Sequence, residues 1–188
     1  MILYLSAGHY PQATKNGKAD PGAIGNGLKE ADLTSELRDL ILGELMLIAP
    51  SLKIVTDKDN QWTGEWVSYL ANNAKVGDVI CDIHFNAATP TAGGTEVIIP
   101  KEFTEKEKEL ASLLNKAVIG VLSTKDRGVK TEAHTARGKI GILFQPKIAT
   151  NVLIEVCFIS NKAEIEKYQM NKITVAKKIA KVLADWCK

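Results

Sequence analysis

Cysteine, histidine and an excess of either charge are scarce in this chain, and each scarcity excludes something. Its three cysteines, Cys81, Cys157 and Cys187, are too few and too scattered for a disulfide framework. Cys81 and Cys157 fall inside apolar runs predicted to be strands, where reduced thiols pack as small hydrophobes, so free thiols are expected. A net charge of +2 builds no strong field toward nucleic acid. No apolar run approaches the length that spans a bilayer, and the sequence does not open on a basic segment followed by a cleavable apolar one. The expectation is a protein made in the cytoplasm without a visible signal peptide, with no membrane span and no nucleic-acid partner. The 188 residues, 45% of them hydrophobic, suit one domain over residues 1–188, without repeat, low-complexity segment or linker. A monomer is expected.

Against that background one stretch stands out. Val152-Leu153-Ile154-Glu155-Val156-Cys157-Phe158 places a carboxylate in the middle of an apolar, β-branched run that reads as an interior strand. An ionised group there costs several kcal/mol or more unless something pairs with it, so Glu155 needs a reason to be present. Two of the three histidines have similar settings. His9 follows Ile2-Leu3-Tyr4-Leu5-Ser6-Ala7-Gly8, and His84 closes Val79-Ile80-Cys81-Asp82-Ile83.

The rest of the chain alternates strands with helices. Tyr10 to Gly27 reads as an irregular loop rich in glycine and proline. Leu33, Leu37, Leu40, Ile41, Leu45 and Ile48 fall at helical spacing, and Pro50 stops that helix. Strands are expected at Leu52 to Thr56, Val79 to His84, Gly94 to Ile99, Ile140 to Phe144 and Val152 to Phe158, with a helix over Gly64 to Ala74. Thr104 and Glu107 form a capping box ahead of an apolar face running from Leu110 to Val121. Asn161 and Glu164 predict a cap for a short helix, and Ile173 to Trp186 line a final one. Strands separated by helices predict an α/β protein: a three-layer α/β/α domain with a mainly parallel, mixed six-stranded sheet. Ligands in such sheets bind beyond the carboxyl ends of the strands, where His9 and His84 fall.

Two imidazoles and one carboxylate make a catalytic zinc shell that leaves a position for water, whose pKa the metal lowers to about 7. Glu30, at the close of the irregular loop, qualifies as the third ligand, and Glu155 as the base that takes the proton. The intervals between these residues match no compact metal motif, so spacing alone supports the set only weakly.

The segments Ser6-Ala7-Gly8-His9, Asp20-Pro21-Gly22-Ala23, Gly27-Leu28-Lys29-Glu30, Ile83-His84-Phe85-Asn86-Ala87, Gly94-Thr95-Glu96-Val97, Arg127-Gly128-Val129-Lys130 and Leu153 to Asn161 are each short. Together, and in this order, they resemble the zinc-dependent N-acetylmuramoyl-L-alanine amidases of the amidase 3 family, over roughly residues 2 to 161. The resemblance implies that His9, Glu30 and His84 hold one Zn2+ ion and that Glu155 is the catalytic carboxylate. It implies hydrolysis of the amide between N-acetylmuramic acid and L-alanine in peptidoglycan, hence action on the cell wall after release or export. Two positions depart from the family pattern: Tyr10 to Ala19 lengthen the loop after His9, and Asp82 stands where relatives commonly carry serine.

Other residues have bland readings beside the functional ones. Asp82 faces the same side as His84 and reads first as a hydrogen-bonded strand-end group. His134 lies in the polar segment Lys130 to Lys139, a surface loop. Arg127 reads either as a substrate contact or as a solvated charge, and Asn86 either turns the chain or donates to substrate. A buried partner for Glu155 would have to come from Arg127, Arg137 or a lysine. Two alternatives to the amidase are a zinc carboxypeptidase acting on stem peptides and a non-catalytic peptidoglycan-binding module.

Overall fold

Side chains alternate across a strand, and in this protein the alternation separates a wholly apolar sheet face from a divided one. In a computed structural model, which describes the chain apart from Asn16, Ala136, residues 145–148 and the Phe144 side chain, eight strands form. They are β1 (Ile2–Ala7), β2 (Ile24–Gly25), β3 (Leu28–Lys29), β4 (Lys53–Thr56), β5 (Val79–Asn86), β6 (Thr95–Ile99), β7 (Asp126–Thr131) and β8 (Thr150–Phe158). Six make one sheet in the order β4-β1-β5-β8-β6-β7. Strands β4, β1, β5 and β8 run parallel; β6 pairs antiparallel with β8, and β7 parallel with β6. The expected three-layer, mainly parallel, mixed six-stranded sheet is present.

Leu3 and Leu5, Val79, Cys81, Ile83 and Phe85, Val97 and Ile99, and Val152, Ile154 and Val156 all face one core. Three helices cover it: α1 (Glu30–Ile48), α3 (Glu105–Leu122) and α4 (Lys162–Trp186). On the opposite face Tyr4, Ile80, Leu153 and Ile98 form an apolar patch under the shorter α2 (Thr63–Asn73) and a 3-10 turn at Gly141–Phe144, which contribute Trp66, Leu70, Ile142 and Leu143. Two residues further along the same face, the row turns polar: Ser6, Asp82, Glu155 and Glu96. The 11-residue α2 leaves this polar strip beside two openings rather than under a helix.

Two expectations need correction. Ile140 to Phe144 is not a strand: Gly141–Phe144 forms a 3-10 turn, and its short apolar run packs Ile142 and Leu143 onto the sheet. Periodicity over so few residues cannot separate a strand from a helical turn. The sixth strand is instead β7, Asp126–Thr131, an edge strand whose half-buried, charged residues carry little apolar signal. The Asn161 cap likewise opens no short helix but the single 25-residue α4, since neither glycine nor proline interrupts it and Ile165 and Tyr168 bury its first turns. The Asn161 side chain accepts from the Glu164 backbone N–H at 3.2 Å. The Thr104–Glu107 capping box is present at the start of α3, and all three cysteines are free.

Candidate metal centre

The segment after β1 turns sharply enough to put two histidine rings against each other. His9 adopts φ +69°, a left-handed conformation that is costly for a residue with a side chain and concentrates at functional sites. The carboxyl end of β1 is held by Asp57, which accepts from the Ala7 N–H at 3.2 Å and is itself paired with the buried Arg38 at 3.0 Å. Beyond it, Thr34 on α1 donates to the Gly8 carbonyl at 2.7 Å.

Glu30 is delivered by a tight hairpin. Asn26 and Gly27 both have positive φ between β2 and β3, the arrangement a two-residue hairpin turn requires, and Glu30 follows as the first residue of α1. The first two N–H groups of α1, those of Glu30 and Ala31, donate to the Ala23 and Pro21 carbonyls at 2.9 and 3.1 Å. Thus the stretch expected to be an irregular loop contains a hairpin and, at Tyr10 and Asp20, an antiparallel bridge.

These elements bring His9, Glu30 and His84 together, with one ligand atom from each lying within 4.8 Å of the others. Glu30 Oε2 is 3.2 Å from His9 Nε2, and Oε1 is 3.0 Å from His84 Nδ1. The same two oxygens accept from the Ala23 and Phe85 backbone N–H groups at 2.9 and 3.0 Å. Each ring nitrogen facing away from Glu30 meets another carboxylate: His9 Nδ1 donates to Asp20 at 2.9 Å, and His84 Nε2 to Asp82 at 3.0 Å. Asp82 in turn accepts from the Ser6 hydroxyl at 2.6 Å. A carboxylate on the outer nitrogen fixes ring orientation and raises basicity at the inner one, as is usual for histidines that bind metals. Asp82 is therefore both the hydrogen-bonded strand-end group expected and a support for His84.

The charge balance favours a cation. Burial opposes protonation of His84, but Asp82 and Glu30 outweigh it and raise the ring well above its ordinary range; His9 is raised in the same way by Glu30. Burial also opposes ionisation of Glu30, yet hydrogen bonds from both histidines hold its carboxyl below the usual range.

Glycine is required beside this cluster. A Cβ on Gly8 would lie 2.2 Å from His84 Cε1, and one on Gly22, where φ is +63°, 2.6 Å from His9 Cδ2 and 2.7 Å from Glu30 Oε2. Gly8→Ala is expected to displace the His84 ring and weaken the affinity of this cluster for a divalent metal ion by about 10–100-fold while the fold is kept. Competition with a calibrated chelator measures it; wild-type affinity would remove the steric argument.

Glu155 sits directly across from His84 on β5 and from Glu96 on β6. Its Oε2 is buried and has no hydrogen-bond partner among the described residues. Burial is the main reason its carboxyl is pushed up to about 7; His84 lowers it, while Glu30 and Glu96 raise it. The buried cation expected to pair with it is engaged elsewhere. Arg127 Nε donates to Glu96 at 2.7 Å, Lys130 pairs with the same carboxylate, and Asn86 Nδ2 donates to its other oxygen at 2.9 Å. Asn86 and Arg127 are thus beside the site, joined through Glu96. The sequence places Glu96 in one of the shared segments but gives it no role, although it interrupts an apolar strand much as Glu155 does.

A description of the N-acetylmuramoyl-L-alanine amidase family matches residues 3–185. The chain belongs to this family. The amidase is 26% identical to protein YqiI of Bacillus subtilis over 166 residues, 88% of this chain and 73% of that one. It is 25% identical over 167 residues to the N-acetylmuramoyl-L-alanine amidase LytC of B. subtilis, covering 88% of this chain and 31% of LytC. The crystal structure of an N-acetylmuramoyl-L-alanine amidase from Clostridium difficile 630 superposes with a TM-score of 0.80 at 20% identity, covering 98% of this chain and 95% of that one. The amidase hydrolyses an amide bond of peptidoglycan and acts on the cell wall. Among the described residues no helix is long and apolar enough to cross a membrane.

Proposed function

We propose that the amidase is zinc-dependent, that His9, Glu30 and His84 hold one Zn2+ ion, and that Glu155 is its general base and acid. The observation that carries this reading is the buried Oε2 of Glu155, unpartnered among the described residues, beside a two-imidazole, one-carboxylate donor set. Zinc prefers that mix of nitrogen and oxygen ligands with a position left open. When bound there it supplies Lewis-acid polarisation of the scissile carbonyl and a water acidic enough to lose its proton near neutral pH.

The chain's own groups do the rest. Glu155 Oε2 takes the proton from the attacking water and passes it to the departing L-alanine nitrogen, and a carboxyl near 7 suits both directions of transfer. Asp20 and Asp82 keep the two rings in place. The cleft opens beside His9 and His84 through a cavity of about 240 Å³ and beside Glu155 through one of about 290 Å³, as a polymeric substrate needs. All of these groups come from one chain, so a monomer with one catalytic domain is sufficient.

The intact set of four groups favours this reading over a binding module, and the amidase family match over residues 3–185 favours it over a carboxypeptidase. The test is incubation of the protein with peptidoglycan, with and without chelator. Chelator-sensitive appearance of L-alanine amino groups is expected, restored by added zinc. Release unaffected by chelator removes the zinc, binding without release supports the module, and release of C-terminal D-alanine supports the carboxypeptidase.

A further inference from the structure

The 290 Å³ cavity on the far side of Glu155 has a charge that the hydrolytic step does not use. It is lined by Arg127, Lys130, His134 and Arg137, together with Asn86 and Phe158. Arg127 and Lys130 both pair with Glu96, so two cations share one buried carboxylate and the group keeps a positive charge in excess. Arg127 uses only Nε on Glu96, and its guanidinium lies over the Phe158 ring at 5.0 Å. Its two terminal amino groups have no hydrogen-bond partner among the described residues. The exposed Arg137 side chain likewise has no ion pair among them, and it borders the metal-side cavity as well.

A slip in strand pairing puts this group where it is. His84 pairs with Glu155, but two residues on Asn86 pairs with Phe158, and the bulge brings the Phe158 ring to the groove side beneath Arg127. Glu96 and Asn86 then hold the cations in place, so little side-chain freedom is left to lose when an anion arrives.

The geometry points to a carboxylate subsite: Arg127, Lys130 and Arg137 bind the free α-carboxylate of the stem-peptide residue that follows L-alanine. This rests on the amidase reading of the site. In peptidoglycan that residue is a D-glutamate joined onward through its side-chain carboxyl, which leaves the α-carboxyl projecting as either a carboxylate or a carboxamide. The distances agree. Neighbouring strands lie about 4.8 Å apart, which puts Glu96 roughly 10 Å from His84, with Glu155 between them. Two residues of extended peptide span about 7 Å, so an amide held at Glu155 sets the next residue's carboxyl against the cations. The peptide therefore leaves the site toward β6 and β7, and the glycan lies on the other side of the metal set. Glu96 serves as a positioning residue that fixes the cations without touching substrate.

Two peptidoglycans that differ only in amidation of this α-carboxyl provide the test, with zinc-loaded wild type, Lys130→Met and Arg137→Gln compared on each. Wild type is expected to favour the carboxylate form by about tenfold or more in kcat/KM, as charge-assisted hydrogen bonds imply. Lys130→Met reduces that ratio to about twofold. Arg137→Gln, at an exposed position where folding is not at stake, reduces it in part. Calorimetry of the product dipeptides gives the second readout: wild type binds the free acid more tightly than its amide, and Lys130→Met does not distinguish them. Equal rates on the two polymers, or a parallel loss on both in every variant, overturn the subsite while leaving the amidase reading intact. No cleavage of the lactyl–L-alanine amide in either polymer overturns the reading beneath it, and the subsite falls too.

Discussion

Glu155→Gln is expected to lower turnover on peptidoglycan by about 10²–10⁴-fold, the usual contribution of a positioned acid–base group, while zinc remains bound at the wild-type stoichiometry. The substitution preserves shape and a hydrogen-bonding oxygen but cannot accept a proton at neutral pH. Because Glu155 makes no ion pair and its Oε2 has no partner among the described residues, replacing it disconnects no structural network. Stability is therefore expected to hold or rise, since burial already opposes its ionised form. Activity assays alongside elemental zinc analysis give both numbers on one preparation. Near-normal turnover in Glu155→Gln would remove the residue from the chemistry.

His84→Ala produces the opposite pairing of results, with zinc content falling toward zero and turnover lost along with it. Zinc's Lewis-acid stabilisation is worth several kcal/mol, so its removal costs roughly a thousandfold or more. The imidazole also carries two carboxylates, and without it Glu30 Oε1 keeps only the Phe85 N–H while Asp82 keeps the Ser6 hydroxyl. The variant should nonetheless fold, because the side chain stands at the polar end of β5, away from the apolar core. Full zinc occupancy with a native circular dichroism spectrum would contradict its role as a ligand. The contrast with Glu155→Gln would separate a group proposed to hold the metal from one proposed to move a proton.

How far the members of the proposed site could be read from the chain depended on what each residue's neighbours were. Glu155 was legible because six apolar residues surround it and a carboxylate in an interior strand demands a cause. His9 and His84 were legible because each ends an apolar run that could only be a buried strand. Glu30 was far less so, since an acid near a helix start is ordinary; its place depends on an Asn26-Gly27 hairpin whose turn signal lay within a segment read as irregular. Asp20 gave a motif but no role, because its link to His9 is a contact formed by the fold. Glu96 shows the reverse: its apolar setting carried the same signal as Glu155, yet its partners Asn86, Arg127 and Lys130 could not be assigned from separations along the chain.

By itself the sequence determined the alternation of strands and helices, the layered α/β architecture and the strand-end position of the histidines, because these follow from local periodicity and from the cost of burying polar groups. The tertiary structure alone decided that charged β7 completes the sheet, that Arg127 and Lys130 answer Glu96 rather than Glu155, and that Asp20 and Asp82 back the two imidazoles. Those outcomes depend on strand order and pairing register, which bring distant residues within a few ångströms and leave no periodic trace along the chain.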